Sequence, residues 1–186
     1  MEIKAALDEA GGDKNKAVEI LRKKGTLKAG KKADRIANEG IVEAYIHPGG
    51  RVGVLVEVNC ETDFVARTQD FKNLVKELAL HVAASNPLYI LPADVPAEVV
   101  EKEKEIYKEQ ISARGGSASG GKAKPEDMVN KILEGKIAKY YEEVCLMEQP
   151  FVKNPDIKVK DLIGEAVAKM GEKVVVKRFA RFVLGN

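Results

Sequence analysis

The sequence predicts an α+β protein: a small helical segment, then a linker helix, then a core in which a three-stranded antiparallel sheet is packed by helices and extended by a helical hairpin. Three observations predict it. On both sides of a His47-Pro48-Gly49-Gly50 turn, apolar residues recur at every second position: Val42, Ala44 and Ile46 before it, Val52, Val54, Val56 and Val58 after it. Immediately afterwards Phe71, Leu74, Val75, Leu78 and Val82 recur at helical spacing. Near the end the same order returns, with a helical pattern up to Gly171 and a strand pattern from Val174 to Val183. That last strand is expected to pair with the first hairpin, because an isolated two-stranded ribbon is marginal in water.

Each element has a local cause. Ile3, Ala6, Leu7 and Ala10 share a helical face, Gly11-Gly12 interrupts it, and Asp13 can cap a second helix carrying Ala17, Val18, Ile20 and Leu21. Gly25 suits a left-handed stop. This places a helical segment at residues 1–26, and the alanine- and lysine-rich stretch 27–39 reads as a linker helix. The core then spans 40–186. Asn86-Pro87 ends the first core helix. A loop punctuated by Pro87, Pro92 and Pro96 leads to a charged helix whose stripe is Val100, Tyr107 and Ile111. The stretch ARGGSASGGKAKP has the composition of a mobile connection. Met128, Val129, Ile132, Leu133, Ile137, Tyr140, Tyr141 and Val144 then resume a helix, so residues from about 96 to 145 are expected to form an inserted helical hairpin. Val159, Leu162, Ile163, Ala166, Val167 and Met170 make the last helix, with Gly171 as its stop.

Composition narrows the function. Hydrophobic residues at 45% and charged residues at 32% give a core large enough to offset chain entropy. With 31 basic against 29 acidic side chains the net charge is +2, too small for a wholesale electrostatic grip on nucleic acid or an anionic membrane. The first residues read as a charged helix rather than an export signal. No apolar run approaches the roughly 18 residues of a membrane span, and a cytoplasmic location is expected. Cys60 and Cys145 stand alone, without CxxC or histidine spacing, so neither a metal site nor a disulfide framework is indicated. His47 and His81 have no nucleophile at motif spacing and read as structural or surface residues. No enzyme, metal or cofactor is expected.

Two further segments invite a function. Gly25 to Lys32 approaches the phosphate-loop pattern GxxxxGK[ST], but Lys32 stands where the hydroxyl belongs, and a charged helix precedes it where a buried strand is needed. It reads as a helix stop and a basic helix. The basic run Arg22, Lys23, Lys24, Lys28, Lys31, Lys32 and Arg35 carries the alternative function, an RNA-binding module using the Lys28–Arg35 helix. Against it stands the absence of interleaved aromatics, which are 5% of the chain with no tryptophan.

The sharpest signal lies where hairpin meets helix: Glu57-Val58-Asn59-Cys60-Glu61-Thr62-Asp63-Phe64-Val65-Ala66-Arg67. One reading makes Thr62 or Asp63 the helix cap and tucks Phe64 against the first turn. The other points an acid and an aromatic outward together. The residues alone do not choose between them.

This segment resembles the signature of the bacterial elongation factor Ts family, E-[aliphatic]-N-C-[Q/E]-T-D-F-V-A-[K/R], at every position. The resemblance extends over essentially the whole chain. Residues 1–26 resemble the end of that family's ubiquitin-associated-like (UBA-like) helical domain, and Lys28 to Gly40 its linker. One departure is that family members begin with another helix ending in a T-G-A-G-M turn, whereas this chain starts at the methionine of that turn; the faces of Ile3, Leu7, Val18 and Leu21 are then expected to be partly exposed. The single strand-helix-strand core resembles the family's short form.

The resemblance implies a guanine-nucleotide exchange factor whose partner is elongation factor Tu bearing GDP. Thr62, Asp63, Phe64 and Val65 match the segment associated with dislodging the partner's Mg²⁺, and Glu57, Asn59, Cys60, Glu61, Ala66 and Arg67 complete the signature. No direct nucleic-acid or membrane partner is implied. A core with one subdomain resembles half of a two-part platform, and the apolar stripes of the hairpin and the end strand make a homodimer a further expectation.

Overall fold

The computed structural model describes residues 2–21, 34–116 and 125–185. The elements in chain order are α1 (Glu2–Glu9), α2 (14–21), β1 (Glu39–Ile46), β2 (Val52–Cys60), α3 (Asp63–Ala66), α4 (Gln69–Ser85), α5 (Ala97–Gly116), α6 (Glu126–Val144), β3 (Pro150–Phe151), β4 (Asn154–Lys158), α7 (Val159–Met170) and β5 (Val174–Val183). The chain is mixed helix and sheet, as expected. It divides into two compact units, one of residues 1–86 with 150–186 and one of residues 87–149.

In the first unit, Gly11 and Gly12 take positive φ between α1 and α2. Asp13 Oδ1 accepts from the backbone N–H groups of Asn15 (2.9 Å) and Lys16 (3.2 Å), the cap expected of it. Ala6 and Ala17 are buried, whereas Ile3 and Val18 are exposed. Residues 34–38 are not helical, which corrects the C-terminal part of the expected linker helix. Its chain is spent instead on approaching the sheet, where Asn59 Nδ2 donates to Ala37 O. The rest of that helix, with Lys28, Lys31 and Lys32 of the RNA-binding alternative, lies outside the described residues, as does the segment resembling a phosphate loop.

The sheet has the order β1-β2-β5, antiparallel throughout. Its inner face presents buried Val54, Val56 and Val58 of β2 to α4 with Phe71, Val75, Leu78 and Val82, while β5 with buried Val174 and Val176 packs on α7, whose Val159, Ile163 and Val167 complete this core. Burying such side chains stabilises by roughly 1.5–3 kcal/mol each. The alternation read in β1 is real, but its apolar side faces away from the helices. Val42 and Ile46 are exposed, and cross-strand pairing puts Val42, Ala44 and Ile46 on one face with Leu55, Ala180 and Phe182. Period alone fixes the alternation and leaves the side undetermined.

Another feature escapes the sequence pattern. The ribbon β3–β4 is held by His81, whose buried Nδ1 accepts from Val152 N–H at 3.2 Å while its ring lies 5.9 Å from that of Phe151.

In the second unit, residues 88–90 run beside residues 145–147: Leu88 and Tyr89 N–H donate to Val144 O, and Leu146 N–H donates to Tyr89 O. The insertion thus starts and finishes at one place. α5 and α6 pair through buried Ile111, Leu133 and Ile137, with Lys136 Nζ 4.7 Å from the Tyr107 ring centre. Ala113–Gly116, expected as the start of a mobile connection, continue α5, and residues 117–124 of that connection lie outside the described residues.

Gly40 sets a strict limit on the sheet. Its φ is +148°, and a Cβ there would lie 2.2 Å from Val58 O, which is backbone and has nowhere to go. Gly40→Ala is expected to cost about 3 kcal/mol or more in urea denaturation. A loss below about 0.5 kcal/mol would show that β1 does not approach β2 this closely.

Candidate functional site

The corner between β2 and α4 is built from caps. Thr62 takes an extended conformation (φ −129°, ψ 151°), and its Oγ1 accepts from Val65 N–H at 3.3 Å, starting α3. One turn later Thr68 repeats the device, accepting from Phe71 N–H at 3.3 Å and donating to Val65 O at 2.8 Å, which starts α4. The sequence reading ran these into one helix and missed the second cap, although Thr68 sits at cap spacing from Phe71.

Two consecutive caps divide the signature between inside and outside. Val65, Ala66 and Cys60 are buried and fasten the turn to the sheet. Phe64 is 78% exposed, so the reading in which it tucks against its own helix is overturned. The reason is the short α3: one turn has two inward positions, and Val65 and Ala66 occupy both. Asp63 and Arg67 flank the ring from outside, joined by an exposed i,i+4 ion pair at 2.8 Å. Such a pair holds little free energy and exchanges readily for a partner's groups.

Behind the tip the corner is tied to other segments. Glu172, which follows the left-handed Gly171 (φ +77°) closing α7, accepts three hydrogen bonds: from Glu61 N–H (3.2 Å), Thr62 N–H (3.0 Å) and Thr62 Oγ1–H (2.7 Å). In return the Glu61 carboxylate accepts from Lys173 N–H at 2.6 Å and faces Arg35 Nη1 at 3.3 Å. Lys173 Nζ donates to Arg35 O at 2.8 Å. Glu57 lies apart from this cluster, on the outer face of the sheet, where it pairs with Arg178 at 2.6 Å, and Asn59 bonds Ala37 O. Glu172 and Lys173 carry no signal in the sequence, because an acid after a helix stop gives no cue to a partner 110 residues away, and Arg35, read there as part of a basic run, instead faces Glu61.

Among the described residues the tip of the site is a projection. Surface grooves of about 210 and 280 Å³ lie between α4 and α7 and on the outer sheet face, and no residue from 61 to 67 lines either. Small-molecule sites are concave, whereas an exposed aromatic on a rigid corner fits a groove on another macromolecule. Among the described residues, no group of three or more His, Cys, Asp or Glu side chains could hold a metal ion.

Cys60 is part of the fastening. Burial, reinforced by the charge of Glu172, raises its thiol from 9.0 to about 11, and the protonated Sγ donates to Thr62 O at 3.1 Å. Burial likewise lifts Cys145 to about 11. A group held protonated above its ordinary value stabilises the fold below pH about 9 and loses that contribution as pH rises through about 11. Both thiols are therefore expected to resist iodoacetamide at pH 8 in the native protein and to react after unfolding, read by intact mass. Fast native alkylation of Cys60 would contradict its place in the corner.

The arrangement can be set beside known proteins. The family described as Elongation factor TS matches residues 13–186. The chain is 55% identical over its full length to an elongation factor Ts of Carboxydothermus hydrogenoformans, covering 82% of that protein. It is 56% identical to that of Heliobacterium modesticaldum, covering 83% of it, and 54% identical to that of Thermodesulfovibrio yellowstonii, covering 88%. A match of this extent leaves one conclusion: the chain belongs to the elongation factor Ts family of translation elongation factors.

Proposed function

We propose that the chain is a guanine-nucleotide exchange factor that acts in the cytoplasm on elongation factor Tu bearing GDP. It is not an enzyme in the covalent sense: it grips its partner, deforms the nucleotide site, and remains bound until GTP enters. The observation that carries this reading is the exposed Phe64 ring, flanked by Asp63 and mounted on a corner whose remaining side chains are buried or hydrogen-bonded.

The mechanism follows from magnitudes. A GTPase holds GDP through phosphate-loop N–H groups and a near-octahedral Mg²⁺. A nucleotide held at nanomolar strength lies about 12 kcal/mol below the free state. Sinking a phenyl ring removes about 150 Å² or more from water, on the order of 4 kcal/mol. That is enough to shift elements supporting the metal, and too little to expel the nucleotide alone. Phe64 therefore acts as a wedge, Asp63 engages polar groups opened beside it, and an interface of standard size supplies the remaining free energy. By linkage, a factor that weakens GDP binding is itself bound less tightly while GDP is present, and abundant GTP completes the cycle. Thr62 and Val65 hold the wedge from behind.

The partner reading includes a second copy of the chain. In α5 and α6 the residues Ile111, Leu133 and Ile137 are buried while Ile106 and Met128 stay exposed, and the outer sheet face exposes a larger apolar group, Val42, Ile46, Leu55 and Phe182, which is the surface offered to a copy. Sedimentation is expected to give a concentration-dependent dimer that Leu55→Lys or Phe182→Lys weakens at least about tenfold. A monomer at high concentration would remove the dimer from the proposal.

Release of labelled GDP from elongation factor Tu tests the main reading. Added chain is expected to accelerate it, and Phe64→Ala or Asp63→Ala to remove most of the acceleration, on the order of a hundredfold, with the circular dichroism unchanged. Full activity in both variants would rule out the wedge.

A further inference from the structure

The signature explains which residues face a partner, but not what keeps them in place under load. Pushing a ring into a packed neighbour returns an equal force on α3, which is one turn of helix and cannot resist alone. Two sets of groups oppose that force. Val65, Ala66 and Cys60 hold by burial. The other set is polar and crosses from the α7–β5 connection: one carboxylate, Glu172, spans two successive backbone N–H groups and the cap hydroxyl. Successive N–H groups aimed at one point form a cradle for negative charge, and Glu172 fills it from within the same chain. The Thr62 hydroxyl is thereby used in both directions, donating to Glu172 Oε1 and accepting from Val65 N–H. Its rotor is fixed, and with it the direction of the first turn that carries Asp63 and Phe64.

From this we propose that Glu172 is a positioning residue for nucleotide exchange: it transmits the stiffness of the sheet and α7 to the corner, so that Phe64 displaces the partner and not itself. This inference rests on the exchange reading above. Glu172 touches no partner group in this role and acts through Thr62. Glu61 contributes the reciprocal hold through Lys173 N–H, so the two connections lock each other. The arrangement distinguishes stiffness from stability: loss of Glu172 leaves the apolar core of the sheet, α4 and α7 in place.

The experiment has two arms on the full chain. In the first, GDP release from elongation factor Tu is measured over a range of factor concentrations, well below the melting temperature of every variant. Glu172→Ala is expected to lower the maximal rate by on the order of tenfold to a hundredfold, while the half-saturating concentration changes less than about threefold. Glu172→Gln retains an acceptor for the amides and an amide group for the hydroxyl, and is expected to recover most of the rate. In the second arm, amide hydrogen exchange by NMR is expected to accelerate at Glu61 and Thr62 in Glu172→Ala and to stay slow at Val56 and Val58. A folded Glu172→Ala protein with the unaltered maximal rate overturns the proposal. So does equal loss in the Ala and Gln variants, or unchanged amide exchange at Glu61 and Thr62. If the unaltered chain gives no acceleration at all, the exchange reading fails first, and the amide arm still reports whether the hold on the corner exists.

Discussion

The corner between β2 and α4 depends on one carboxylate that closes a gap between distant parts of the chain. Glu172 accepts from Glu61 N–H, Thr62 N–H and the Thr62 hydroxyl, all within 3.2 Å. These contacts exist because β2 and β5 are neighbours in the sheet, with Cys60 opposite Val174. A pairing near the end of the chain therefore organises a turn in its first half. Hydrogen bonds to a charged acceptor are worth about 1.5–3 kcal/mol each, well above a surface ion pair such as Asp63–Arg67. That difference sets the design: the outer pair is free to exchange, while the inner one is fixed.

The rest of the core serves this corner. Val54, Val56 and Val58 pack the sheet against α4, and α4 is capped by Thr68, whose hydroxyl also donates to the Val65 carbonyl of α3. Cys60 belongs to the same support, its neutral thiol turned onto Thr62 O. Asp63, Phe64 and Arg67 thereby face outward, beside the partly shielded Glu61 and the exposed but hydrogen-bonded Thr62. A convex tip of this type is suited to a groove on a partner, consistent with membership of a family of translation elongation factors.

Much of this was legible in the sequence. Both strand periods, the helix at 71–82 and the stop at Gly171 depend on nearby residues and emerge in place. The cap at Thr62 was one of two readings, and it stands; the tucked Phe64 was its companion, and it does not. What decided against it was the presence of a second cap at Thr68, which shortens the first helix to a single turn. The outward face of β1 was illegible for a different reason. Alternation is symmetrical, and Val42, Ala44 and Ile46 look the same whether they line a core or a second surface. Glu172 and the His81 anchor of β3–β4 were beyond reach because their partners lie far along the chain, and no local pattern encodes a meeting of that range.

The central claim is that the ring and the carboxylate are parts of one device, and a double-mutant cycle on the maximal rate of stimulated GDP release tests it most directly. If Glu172 acts only by holding Phe64, the protein carrying both Phe64→Ala and Glu172→Ala is no slower than Phe64→Ala alone. If the two losses instead multiply, the residues work independently and the account of the corner is wrong.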